Sequence, residues 1–322
     1  LKSVVKPEMM QWVGSGFLAT GAGTNERDVA EAALPFDKRR NGTILGAGAV
    51  GIVLELAEEA AARGVVPLAD LVSSRFANSA FHATRLDVDH IAEEFDAFVK
   101  SAEERYGLDR EVFPGKSVFV SHETFTPARG GSAAAEIESL RSTFGDKVED
   151  ILITNIKGYT GHPMGAGLED FFALKSLHLG RAPMVPNLQQ PDEDLGSLRY
   201  SKGEPCDLDY AIRFAAGFGS QLAMVLWRRR ARSEKRLHAN VYQDWLRAVT
   251  GFAAPKLEVE KRVLRVSGKP QSEATAETTS QAAPFEARLL GKWGPKTVGL
   301  TRRSETPVAW DALKASYAGK TF

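Results

Sequence analysis

The sequence predicts an α/β layered domain, because apolar strands alternate with helical stretches along its central part. Ser117–Ser121 reads as a buried strand and is followed by a helix over Ser132–Phe144, stopped by Gly145. Ile151–Thr154 repeats the pattern and leads into a helix at Leu168–Leu177. A third strand, Tyr210–Phe214, turns through Ala215-Ala216-Gly217-Phe218-Gly219-Ser220 and returns as Leu222–Trp227, a hairpin-like pair. The three loops that leave these strands are polar or glycine-rich, and loops on a rigid scaffold are where chemistry is usually held.

Taken in order, residues 1–34 are mixed apolar with Gly14, Gly16, Gly21 and Gly23, which are expected to break any long helix. Pro35–Gly42 is a charged turn ending in Asn41-Gly42. Gly46, Gly48 and Gly51 then form a literal G-x-G-x-x-G, with Asp70 about twenty residues on. A dinucleotide fingerprint needs a full strand before the glycines and a helix opening within them. Only Thr43–Leu45 precede Gly46, and helix formers begin at Glu55, so the glycines are read as lying inside a strand. A nucleotide-binding oxidoreductase using Gly46, Gly48 and Gly51 is kept as the alternative from another class. Val66–Asn78 is expected to be a second strand pairing with the first. Asp87–Tyr106 has helical spacing, with Ile91, Phe95 and Phe98 on one face and Asp87 as N-cap.

The stretch that organises the rest is the strand-to-helix loop Asn155–Gly167, which holds Lys157 and His162. Beyond it, Arg228-Arg229-Arg230-Ala231-Arg232 reads as a solvated strand end. A short helix at Tyr242–Val249 and a strand at Lys261–Val266 follow. Residues 268–284 are rich in Ser, Thr, Ala, Glu and Pro and read as a linker. Residues 285–322, with Trp293 and Trp310, read as the edge of a neighbouring module. The remaining histidines carry no proposed chemistry: His90 is a first-turn residue, His178 ends a helix, His82 sits in a loop and His238 lies beyond the layered domain.

Composition narrows the function classes. Among 322 residues, 41 basic side chains balance 41 acidic ones, so no global field favours nucleic acid or an anionic membrane. One cysteine, Cys206, excludes an internal disulfide framework and fits a reducing, cytoplasmic setting. No run of apolar residues is long enough for a membrane-spanning helix, and no Cys/His/carboxylate set has zinc spacing. The chain opens at Leu1 without a starting Met, and is read as a fragment of something longer.

Four blocks, in this order and spacing, resemble the C-terminal two-thirds of a β-ketoacyl synthase domain of type I polyketide and polyunsaturated fatty acid synthases. They are Pro35-Phe36-Asp37 leading to Gly46–Ala49, Ser121-His122-Glu123-Thr124-Phe125-Thr126-Pro127, Lys157 through Gly161-His162 to Gly165-Ala166, and Gly217-Phe218-Gly219. The resemblance covers roughly residues 1–230. It implies a thiolase-like αβαβα fold with an incomplete N-terminal half, residues 1–115 belonging to that half and 116–231 to the C-terminal half. A post-synthase extension at 232–267, a linker at 268–290 and the start of another module at 291–322 would follow. It also implies decarboxylative Claisen condensation of malonyl-acyl carrier protein with an enzyme-bound acyl thioester. No cofactor is implied beyond the carrier's phosphopantetheine arm, and a homodimer is expected.

By motif match the resemblance assigns catalysis to His122, His162 and Lys157, with Glu136 as the carboxylate partner of Lys157. It gives Thr124 and Thr126 to the pantetheine amides. Phe218 becomes the mobile aromatic that gates the acyl pocket, with Gly217 and Gly219 as its hinges. The nucleophilic Cys would lie upstream, and Cys206 is no substitute, since Glu204-Pro205-Cys206-Asp207 lacks the small-residue elbow. Glu123 stands where the family has Gly, and Ala215-Ala216 where it has Asn-Ser. A chain-length-factor-like homologue of the same fold, which shapes the pocket without elongating, is the alternative within the family.

Overall fold

The computed structural model describes residues 7–82, 85–126, 131–230, 236–260 and 263–269. From residue 270 on, the expected linker and following module lie outside them, as do Pro127, Arg232 and the first two residues of the strand expected at Lys261–Val266. The chain divides into two compact units, one of residues 1–54 and 67–234, the other of residues 55–66 and 235–322.

The first unit contains α1 (Pro7–Ala19), α2 (Val29–Ala32), β1 (Ala69–Asn78), α4 (Val88–Tyr106), β2 (Ser117–Val120), α5 (Ser132–Phe144), β3 (Leu152–Thr154), α6 (Lys157–Thr160), α7 (Gly167–Leu179), β4 (Arg199–Tyr200), β5 (Tyr210–Gly217) and β6 (Gln221–Arg229). The strands form one sheet in the order β1-β6-β5-β2-β3-β4. Strands β2 to β5 run parallel, and β6 returns antiparallel beside β5. From β2 the chain moves one way to β3 and β4, then crosses back to place β5 on the other side of β2. That reversal opens a crevice outside the carboxyl ends of β2 and β5, the usual place for a ligand in an open α/β sheet.

The period-2 alternation of β2 shows why these strands are buried on both faces. Phe119 packs with Phe95 of α4 and Leu140 of α5 in one apolar cluster, whereas Val118 and Val120 join Ala173 and Leu177 of α7 in another. Helices therefore cover both sides of the sheet. Asp87 caps α4 by accepting from the His90 N–H at 3.3 Å, and Gly107 closes it at φ 64°. The basic end of β6 is ion-paired, Arg228 with Asp70 and Arg229 with Asp209.

Three expectations need correction. Helix α1 runs through Gly14 and Gly16, so two glycines do not interrupt thirteen residues of helix. Residues 46–56 form no strand; Thr43 and Leu45 make only isolated bridges, to Gly23 and His162. Gly46 is nevertheless needed for close approach, since a Cβ there would sit 1.9 Å from the Thr160 carbonyl oxygen. Strand β1 accordingly pairs with β6 and not with the glycine segment.

The second unit holds α3 (Ala57–Ala62), α8 (Ala239–Thr250) and the antiparallel pair β7 (Lys256–Glu260) and β8 (Val263–Ser267). The Arg63 guanidinium lies 5.3 Å from the centre of the Trp245 ring and also pairs with Glu55. None of the helices among the described residues is long and apolar enough to cross a membrane.

Candidate active site

Strands β2 and β3 are adjacent and parallel, so the loops that follow them leave the same edge of the sheet. One delivers His122 and the other His162, and their imidazole rings lie 5.3 Å apart at 85°. The backbone holds each ring's position. The His122 N–H donates to Glu136 Oε1 at 2.8 Å, while the Ser121 hydroxyl donates to Glu136 Oε2 at 2.6 Å. The His162 N–H donates to the Ile44 carbonyl at 2.7 Å, and its own carbonyl accepts from Gly46 at 3.0 Å. The glycine segment thus braces the second histidine, and neither a strand nor a helix start is present at Gly46–Gly51 for a dinucleotide to use.

Both imidazoles are held neutral near pH 7. Burial pushes His122 well below its ordinary value, helped by the charges of Lys157, His162 and Arg213. Burial and then Lys157 bring His162 down to about 4. A neutral imidazole has one N–H donor and one acceptor nitrogen. His162 Nδ1 is buried without a hydrogen-bond partner among the described residues.

Lys157 begins the short helix α6 and is fully buried. The carboxylate in contact with its Nζ is Glu169, in the first turn of α7, at 2.5 Å, and not Glu136 as expected. Nζ and both Glu169 oxygens lack an aligned hydrogen bond, so this is a contact between charges. Glu136 instead carries the backbone of His122, and burial raises its carboxyl to about 8. Glu169 escapes the sequence reading because it lies on another element, two residues past Gly167, where an acidic residue looks like ordinary first-turn charge.

Two further groups at the site, Asn155 and Glu123, had no positioning role in the sequence reading. Asn155 is buried between the loops: its amide donates to the Glu123 carbonyl at 2.9 Å, and its Oδ1 accepts from Lys157 N at 2.9 Å. Glu123 is 1 % exposed, and burial raises its carboxyl to about 7 against the opposing pull of Arg40. Thr124 and Thr126 are half-buried beside it, Thr124 N–H donating to the Ser132 hydroxyl at 3.1 Å.

Gly217 ends β5, so Phe218 leaves the same sheet edge as the histidine loops. Its ring is 53 % exposed and lies 5.9 Å from that of Phe17. Gly219 takes φ 78°. Each of the three loops also holds a non-glycine residue at positive φ: Phe125 at 59°, Met164 at 58° and Ser220 at 58°. Such strain gathers at functional sites. Cys206 is elsewhere, in the loop that enters β5 from the opposite edge, and burial raises its thiol. No group of metal ligands exists among the described residues.

No family model matches the chain. It is 31% identical over 199 residues to a 3-oxoacyl-[acyl-carrier-protein] synthase 2 of Coxiella burnetii, covering 61% of this chain and 43% of that protein. A synthase of the same description from Staphylococcus aureus is 25% identical over 218 residues, covering 67% and 51%. Among solved structures, a β-ketoacyl synthase from Burkholderia phymatum matches with a TM-score of 0.60 and 26% identity, over 70% of this chain and 52% of that one. A type II polyketide ketosynthase, solved with its acyl-carrier protein and a hexaketide, matches with a TM-score of 0.61 and 23% identity, over 70% and 54%. The chain spans about half the length of the curated relatives it matches. Over this span it is similar in sequence to the 3-oxoacyl-[acyl-carrier-protein] synthases and shares the fold of the ketosynthase structures it matches.

Proposed function

We propose that this ketosynthase-fold chain supplies the decarboxylating half of a β-ketoacyl-[acyl carrier protein] synthase site. The observation that carries the reading is the pair of neutral imidazoles, His122 buried and His162 half-buried, 5.3 Å apart at the carboxyl edge of β2 and β3. When malonyl thioester loses CO₂, the electrons of the broken C–C bond pass to the thioester oxygen as an enolate. Two N–H donors fixed beside that oxygen stabilise the charge as it forms. Neutral imidazoles can donate without a second proton having to leave. His122 and His162 are these donors.

Lys157 sets the local field and, with Glu169, the geometry of the His162 loop. Glu136 holds the main chain of His122. Thr124 and Thr126 receive the amides of the carrier's phosphopantetheine arm, and Phe218 gates the acyl pocket between Gly217 and Gly219. The acyl chain rides on a thiol outside this segment. Cys206 is on the wrong edge of the sheet for that task, and its raised thiol is a poor nucleophile. The partners are an acyl carrier protein, acyl and malonyl thioesters and a second copy of the protein. The setting is a cytoplasmic multidomain synthase.

The test compares CO₂ release from malonyl carrier protein with acyl loading seen by intact-protein mass spectrometry. His122→Ala and His162→Ala should each lower decarboxylation on the order of 10²–10³-fold, the usual effect of deleting an oxyanion donor. Acyl loading should survive better. Normal CO₂ release in both variants would remove the histidines from the site.

A further inference from the structure

We propose that Glu123 is a positioning residue for His122, tying its loop to the Phe36–Arg40 turn. The inference rests on the functional reading above for its link to catalysis, but its geometry stands alone. Glu123 Oε2 accepts from the Phe125 N–H at 2.9 Å, closing a tight turn around a residue held at φ 59°. A non-glycine residue in that region costs roughly 1–3 kcal/mol unless its surroundings fix it. The other carboxylate oxygen faces Arg40 Nε at 3.7 Å, and Arg40 in turn contacts Asp192 Oδ2 at 2.5 Å.

The backbone carries the same connection. Phe125 O accepts from Gly42 N at 2.9 Å, and Phe36 O accepts from Asp192 N at 2.9 Å. Glu123 is also held from its own main chain, its N–H donating to the Ser121 hydroxyl at 2.9 Å and its carbonyl accepting from Asn155. Its side chain therefore links the segment bearing His122 to a turn formed more than eighty residues earlier in the chain. Arg40 Nε and Nη1 are buried without a hydrogen-bond partner among the described residues, so Glu123 and Asp192 flank a cation whose side chain is only 12% exposed.

Glu123→Ala removes the acceptor and the charge, whereas Glu123→Gln keeps an acceptor for Phe125 and loses only the charge. Both are compared in the full natural polypeptide, by hydrogen–deuterium exchange resolved at the Phe125 amide and by steady-state decarboxylation of malonyl carrier protein. In Glu123→Ala, Phe125 exchange should rise and kcat should fall about tenfold each, with KM for the carrier unchanged, as for a misplaced catalytic group. Glu123→Gln should restore both to within about threefold of the parent. Unchanged Phe125 exchange in Glu123→Ala overturns the proposal, as does exchange in Glu123→Gln as fast as in Glu123→Ala. If Glu123→Ala does not fold, Glu123→Gln decides: near-parental exchange supports the tether and a tenfold rise overturns it. A parent protein that releases no CO₂ would sink the functional reading, while the exchange data would still decide the tether.

Discussion

Replacing Glu169 by Gln leaves Lys157 with its ammonium wholly buried and its contacting carboxylate gone. Nζ and Oε1 are 2.5 Å apart, and the two side chains are 0% and 1% exposed. With charge centres about 3.5 Å apart, attraction at an effective dielectric near 20 is roughly 5 kcal/mol. Breaking one side of a buried pair commonly costs about 3–5 kcal/mol, so Glu169→Gln should destabilise the protein by about 3–4 kcal/mol. Lys157→Met should cost a similar amount, because it strands Glu169. The double variant should lose about 4–5 kcal/mol against a sum of about 6–8 kcal/mol, giving a coupling of about 2–3 kcal/mol in a double-mutant cycle. Urea unfolding followed by tryptophan fluorescence measures all four states. Additive single effects would refute the claim that the two charges exist for each other.

Two further outcomes are expected. Burial and then the charge of Lys157 bring His162 down to about 4 in the folded protein, below its ordinary value in the unfolded chain. The unfolded chain then binds more protons between pH 6.5 and about 4, so its contribution to stability is complete above 6.5 and lost as pH falls through that window. Urea midpoints across the window should drop more steeply for the parent than for His162→Gln, and equal slopes would contradict the burial-driven shift. Separately, Gly46→Ala would force a methyl against the Thr160 carbonyl, whereas a Cβ at Gly51 meets nothing within 4 Å. Gly46→Ala should therefore cost at least about 2 kcal/mol and Gly51→Ala less than about 0.5 kcal/mol. Equal tolerance at both positions would place the glycine segment elsewhere than against the His162 loop.

Local pattern made much of the layered unit legible. Helix α5 matches the expected Ser132–Phe144, and its Gly145 stop is written in the chain. The hairpin of β5 and β6 was readable because β-branched and aromatic runs flank a glycine-bearing turn. The partner of Lys157 was not readable. Glu136 and Glu169 both occupy helices that follow site loops, and only the packing of α7 decides which carboxylate reaches Nζ. The segment 46–56 misled for a related reason. β-branched residues favour strands, but a strand also needs a neighbour to pair with, and in this structure β6 pairs with β1 instead. The histidine pair lay between these extremes: the two loops were legible, while their juxtaposition depended on β2 and β3 being adjacent.

The pairing of β1 with β6 has a consequence in time. The two strands are separated by about 150 residues of chain, and closing a loop of that size must precede any gain from the contact. Strand β1 is made well before β6 and cannot pair along its length until residues 221–229 have been made. During that interval its hydrogen-bonding groups and Val72, which the folded protein buries, are open to other chains. Translation speed through residues 79–229 therefore sets how long the nascent polypeptide stays vulnerable to edge-to-edge association, and a holdase that covers exposed strands would matter most in that interval.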